Sequence, residues 1–303
     1  MMTPPLPDPS LPESALTPLA PDDEAVRQIR ALMRRPEEQI SLAEAALWIA
    51  SIEYPQLDRA ACLAQLDALA APLAARVVGQ TDPLRIIAAI NERLFSEEGF
   101  RGNAEDFYDA RNSYLNDVLV RRRGIPIMLS TIYLEVAARI NFPLAGVGMP
   151  GHYLVRHRFF DIFIDAFEQG ATLTVAECEQ RMHKALGQVL PFDQELLEAA
   201  PKLRTVMRML NNLRNVYAGT RQLTRALRLT ELALALNPES GPEWELVMAN
   251  DLRQRAALLM EMRRYSPALA TLERYLELDP KADDAADIRK TAVNIRRTLA
   301  QMN

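Results

Sequence analysis

Apolar positions along the chain fall first into a helical rhythm. In "EAVRQIRALMRR", which starts at Glu24, Val26, Ile29 and Met33 share one stripe, and Pro36 stops the pattern. Ser41 with Glu44 three residues on has the capping-box spacing, in which each side chain satisfies the other's free backbone amide. It opens a second helix whose apolar face is Leu42, Ala45, Ala46 and Ile49. Helical patterns also cover 57–77 and 82–95, the latter with Pro83 in its first turn. From Ile127 to Ile140 nearly every position is apolar, as in a helix buried on all sides. The period then changes, and 144–148, 152–157 and 160–165 read as strands. Thr174 with Glu177 makes another capping box, for a helix over 175–186, and the helical rhythm resumes at Lys202. The pattern predicts an α+β fold, predominantly helical, with a small antiparallel sheet.

Composition divides this chain further. Its 303 residues include 20 prolines, and the dense set in 1–21 predicts a disordered leader. A mixed domain over 22–200 and a helical region over 201–303 follow. Lys and Arg number 35 against 40 Asp and Glu, and a net charge of -5 gives no general attraction to nucleic acid or anionic membranes. The longest apolar run, Ile125 to Ala138, is broken by Glu135, so no membrane span is expected. No basic segment followed by an apolar one opens the chain, and a cytoplasmic location is expected. Only Cys62 and Cys178 are present, which suggests neither a disulfide framework nor a cysteine metal site.

The C-terminal region repeats. "YAGTRQLTRALRLTELALALNP" and "LMEMRRYSPALATLERYLELDP" align without a gap, pairing Tyr217 with Leu259, Ala226 with Ala268, Ala233 with Tyr275 and Pro238 with Pro280. This resembles the tetratricopeptide pattern of paired helices, with small residues where they cross. Leu259 and Tyr275 depart from it. The repeats make protein partners the expected ligands of this region.

Chemistry is concentrated between Gly99 and Phe167. The loop "GFRGNAEDFYDARNSYLN" leads into "RRRG", a basic turn before the buried helix, where backbone amides also favour anions. Asn112, Tyr114, Arg122, Arg123 and Gly151 are the candidate ligand- or partner-binding residues. His152 and Asp165 are the candidate dyad: a carboxylate that fixes an imidazole tautomer lets the ring deprotonate a neighbouring nucleophile. If the hairpin between them turns at Arg158 and Phe159, His152 faces Asp165. Ser130 is the hydroxyl closest to hand on the buried helix, although serines there often bond the carbonyl one turn back. His152 and His157 fall on opposite faces of a strand, so no metal or other cofactor is expected.

The stretches "GFRGNAEDFYDARNSYLNDVLVRRRGIPIMLSTIYLEVAARINFPLAGVGMPGHYLVRH" and "IDAF" closely resemble the bacterial SirB1 family. The resemblance runs from about Ser41 to the C-terminus. It implies a degenerate transglutaminase-like (papain-like) core followed by tetratricopeptide-type helices. That fold implies a cysteine at the start of a buried helix, then a histidine and an aspartate on successive strands. His152 and Asp165 fit this order, but "GIPI", Gly124 to Ile127, stands where the cysteine belongs. The expected function is a non-catalytic interaction or regulatory module. The alternatives are a hydrolase or acyl transferase using His152 and Asp165 with Ser130 or an activated water, and binding of a peptide or small ligand in the vestigial cleft.

Overall fold

The computed structural model describes residues 16, 19–20, 22–189, 191–237 and 242–302; most of the leader expected over 1–21, and Pro238, lie outside these. By internal contacts the chain forms two units, one built on Ala31–Met209 and the other on the chain from Leu210 together with the segment ending at Arg30. α1 (Glu24–Met33) is thus shared between them, and the boundary lies nine residues past the expected one. Among the described residues no helix is long and apolar enough to cross a membrane.

The first unit contains α2 (Leu42–Glu53), α3 (Arg59–Arg76), α4 (Pro83–Asn91) with a π turn after it, and α5 (Leu115–Arg121). At its centre is α6 (Pro126–Arg139), buried over most of its length because its sequence offers almost no polar face. Two residues of β1 (Arg101–Gly102) pair in parallel with two of β2 (Arg123–Gly124), tying the loop after Gly99 to the start of α6. Strands β3 (Leu144–Val147), β4 (Leu154–His157), β5 (Phe163–Asp165) and β6 (Ala171–Leu173) form an antiparallel sheet in that order. α6 packs against β3 and β4, and α7 (Val175–Leu186) follows β6.

Two local expectations need correction. Ser41 does cap α2 by accepting from the Glu44 amide, but the reciprocal partner is Glu135 of α6. That carboxylate accepts from the Ala43 amide and the Ser41 hydroxyl at 3.0 and 2.9 Å. A buried helix terminus took the nearest carboxylate in space rather than in sequence. The hairpin register also differs, because Val155 pairs with Ile164 and Arg156 with Phe163, two residues away from the register that opposes His152 to Asp165. Arg158 to Asp161 make a wider loop in which the Phe159 amide donates to His157 Nδ1 at 3.1 Å and Phe160 lies against the His157 ring. Arg-Phe cannot readily supply the two positive φ angles of a tight turn. A shift of two preserves the facing of every side chain, so Asp165 still points to the His152 side.

Asp117, buried on α5, accepts the Tyr54 hydroxyl at 2.6 Å. Burial pushes its carboxyl up to about 6, with the Tyr54 bond and the fields of Arg121 and Arg111 offsetting only part. A folded value above the unfolded one (~3.9) means stability is greatest below about 4 and is lost as pH rises through about 6. Asp117→Asn should therefore stabilise the protein by about 1–2 kcal/mol at pH 7.5, the amide hydrogens taking back part of the gain. Urea unfolding at pH 7.5 and pH 4 checks this, and the gain should vanish at the lower pH.

The second unit comprises α8 (Lys202–Gly219) from Leu210 on, α9 (Leu223–Leu236), α10 (Pro242–Glu261), α11 (Tyr265–Leu278) and α12 (Ala285–Met302). The aligned positions Tyr217, Ala226 and Ala233, like Leu259, Ala268 and Tyr275, are all buried. The segment ending at Arg30 joins α9: the Leu19 amide donates to Glu231 at 3.1 Å and Arg30 Nε donates to the Ala235 carbonyl at 2.6 Å.

Candidate functional site

The loop between β3 and β4 carries His152 and is held from three sides. Gly151, with φ +73°, brings the backbone so close to α7 that a Cβ there would lie 2.8 Å from that of Ala185. Arg208 of α8 donates to the carbonyls of Met149 and His152 at 2.7 and 2.8 Å. The Ser130 hydroxyl, buried on α6, donates to the Tyr153 carbonyl at 3.5 Å, the outer limit of a hydrogen bond. Ser130 therefore supports the loop that presents His152.

Asp165, fully buried at the end of β5, collects four donors. Its Oδ1 accepts the amides of Phe167 and Glu168 at 3.0 and 3.2 Å. Its Oδ2 meets His152 Nε2 at 2.9 Å and Arg181 Nη1 at 2.6 Å. Burial alone would raise its carboxyl. The His152 bond, the charge of Arg181 and the Glu168 amide bond outweigh it and hold the group below the ordinary carboxylate value. A carboxylate only accepts, so the proton of neutral His152 sits on Nε2 and the lone pair on Nδ1. No described residue hydrogen-bonds Nδ1. The ring itself packs edge-on against Phe167, centroids 6.3 Å apart.

Neither thiol joins the pair. Burial pushes Cys62 and Cys178 each up to about 11, with Asp58 adding at Cys62 and Asp165 at Cys178. Both are far from the activated state of a nucleophilic cysteine. Among the described residues no three His, Cys, Asp or Glu side chains gather where a metal could be held.

The remaining candidates brace the loop after Gly99. Asn112 is fully buried: its Oδ1 accepts from Asn103, its Nδ2 donates to the Asp106 carbonyl at 2.6 Å, and its own carbonyl accepts the Ile125 amide. Tyr114 is buried edge-on to Tyr54. Arg122 ends α5 with φ 58°, pairs with Glu98 at 2.7 Å and covers the Phe100 ring. Arg121 pairs with Asp109, which leaves Arg123, 4.0 Å from Glu105, as the least engaged cation of "RRRG". The structure thus brings His152 and Asp165 together and places Asn112, Tyr114 and Arg122 in the packing of α5 and the loop after Gly99.

Two residues of the site lay outside the sequence reading, Arg181 and Arg208. Arg181 lies between Cys178 and Met182 on the buried stripe of α7, so a cation at the rim of an apolar face was the available signal. Arg208 gave none, since its partners are backbone carbonyls. A cleft of about 1120 Å³ also opens in this unit, lined by Ile40, Leu134, Phe142, Tyr153 and Lys202 among others, but it reaches neither His152 nor Asp165. The cleft also gathers Glu135, Arg156, Arg158 and Lys202, but the dyad is where an imidazole meets a buried carboxylate, the arrangement that acid–base chemistry or polar recognition uses.

A family model described as the transglutaminase-like superfamily matches residues 60–211, which span the loop after Gly99, α6, His152, Asp165 and Arg208. The chain belongs to this superfamily. A UPF0162 protein of Xylella fastidiosa is 37% identical to this transglutaminase-like protein over 275 residues, covering 88% of this chain and 93% of its own. Protein SirB1 of Salmonella typhimurium is 24% identical over 244 residues, 80% of this chain and 84% of the other, in line with the resemblance read from the sequence. F-box only protein 21 of Mus musculus is 44% identical over 105 residues, 31% of this chain but 17% of the mouse protein. No solved structure matches the chain.

Proposed function

We propose that this transglutaminase-like protein is a non-catalytic interaction or regulatory module of the cytoplasm, whose His152–Asp165 centre binds a partner group rather than turning it over. The observation that carries this reading is where the Ser130 hydroxyl points. The Ser130 hydroxyl is given to the Tyr153 carbonyl, and His152 Nδ1 has no nucleophile bonded to it among the described residues. The start of α6 supports the same reading, since Ile125 and Pro126 stand where a nucleophile would sit. Helices α8 to α11, read as two tetratricopeptide-type pairs, would offer a second protein-binding surface.

A second reading, hydrolysis or acyl transfer through an activated water, is favoured by one detail: the proton on Nε2 leaves Nδ1 as a base. Labelling with a fluorophosphonate and with iodoacetamide, together with ester and amide hydrolysis assays, separates the two. The non-catalytic reading expects no labelling or turnover that depends on His152. Labelling or hydrolysis lost in His152→Gln would overturn it.

A further inference from the structure

A row of rings leads outward from His152. His152 packs edge-on to Phe167, whose centroid is 6.3 Å from that of Phe107, and Phe107 lies 5.5 Å from Tyr108. The inner ring is pinned: a Cβ on Gly102 would lie 2.6 Å from Phe167, so β1 backbone is pressed flat against it. The outer rings are open, with Phe107 41% and Tyr108 73% exposed. Two large aromatic side chains left in water side by side mark a contact surface rather than a core.

Carboxylates and arginines both lie beside this row, and Arg111 among the arginines is already paired with Asp109 at 2.8 Å. Asp106, next to Phe107, is exposed and has no ion-pair partner among the described residues. Glu105 is 91% exposed with Arg123 only at 4.0 Å, and Glu168, next to Phe167, is 56% exposed with Arg181 at 4.0 Å. Arg181 is committed to Asp165 at 2.6 Å. Arg101 is one residue along the strand from Gly102, and alternation turns its side chain away from the face on Phe167. At the inner end the Nδ1 of a neutral His152 presents a lone pair that takes a donor.

Each feature narrows the occupant. An anionic group is repelled by Asp106, Glu105 and Glu168, and a neutral apolar one leaves the carboxylates and the Nδ1 acceptor unused. Exposed ring faces beside carboxylates attract cations. A guanidinium stacks flat on a ring while its edge N–H groups reach carboxylates, which a compact, strongly hydrated ammonium does less well. We propose that this surface binds the arginine side chain of a partner peptide, the guanidinium against Phe107 and Tyr108 beside Asp106, with an amide N–H of the same peptide directed to His152 Nδ1. This names the partner chemistry for the non-catalytic reading above and rests on it.

The full chain has three histidines, so imidazoles labelled with ¹³C at Cε1 give three resonances, with His152 assigned by His152→Gln. The probe is acetyl-Gly-Arg-Gly-amide, compared with the citrulline peptide, which has the same outline without charge, and with the lysine peptide. We expect a saturable shift of the His152 resonance, binding about tenfold tighter for arginine than for citrulline, and weakening at high salt. Phe107→Ala with Asp106→Asn should weaken binding about tenfold while leaving the His157 and His183 resonances in place, which certifies folding. No saturable shift, equal binding of citrulline or lysine, or unchanged binding by the double variant would overturn the proposal. A failed titration without His152-dependent labelling overturns the ligand chemistry alone. His152-dependent labelling or turnover overturns the non-catalytic reading, whatever the titration gives.

Discussion

Asp165→Ala should cost about 3–5 kcal/mol of stability, the range for breaking a buried ion pair from one side. The loss follows from what is left behind. The Arg181 guanidinium, His152 Nε2 and the amides of Phe167 and Glu168 all lose their acceptor, in a place where the carboxylate was fully buried. Asp165→Asn keeps an acceptor for the amides but not the charge, and should fall between wild type and Asp165→Ala. The pH dependence has a definite sign. The folded carboxyl lies below its unfolded value (~3.9), so its contribution is present above about 4 and is lost as pH falls through the folded value. Urea unfolding between pH 7 and pH 3 should show a steep acid limb in wild type and a flatter one in Asp165→Asn. A cost under about 1 kcal/mol for Asp165→Ala would contradict the pairing, since that is the range of exposed pairs.

Arg214→Ala should be as damaging, for a related reason in the second unit. Arg214 Nη1 meets Asp251 Oδ1 at 2.5 Å with both side chains buried, and removal of the cation strands a carboxylate that burial already pushes upward. The expected cost is again about 3–5 kcal/mol. The pair is imperfect, however, because Arg214 Nε and Asp251 Oδ2 have no hydrogen-bond partner. Replacing both by apolar residues, as in R214M/D251L, should bring stability back to within about 1 kcal/mol of wild type or above it. Trp48 is in the first unit and Trp244 in the second, so a Trp48→Phe background reports the second unit by fluorescence. If the double variant were no better than Arg214→Ala, the ion pair would be contributing more than its desolvation costs.

Much of the helical framework was legible because its signals are local. The Thr174 and Glu177 capping box marked the start of α7, and both of its bonds form. The apolar run after Pro126 marked α6 as buried. What stayed hidden is non-local. β6 and the two-residue pairing of β1 with β2 are too short to show a period. The hairpin register depended on turn chemistry that Arg158 and Phe159 do not specify. His152 and Asp165 could be paired from spacing because an even register shift leaves them on one face. Arg181 and Arg208 reach that site from helices 16 and 56 residues along the chain from their partners. No local pattern encodes those contacts, although they hold the Asp165 carboxylate and the His152 loop in place.

The placement of the N-terminal segment sets an order of events during synthesis. Leu19 and Arg30 find their partners, Glu231 and Ala235, 212 and 205 residues later in the chain. At about 5–20 residues per second those partners emerge on the order of tens of seconds after the segment that needs them. Val26 and Ile29 of the same segment are fully covered in the finished protein. The bonds that tie this segment to α9 are therefore completed late, and α1 waits for the second unit before its place is fixed.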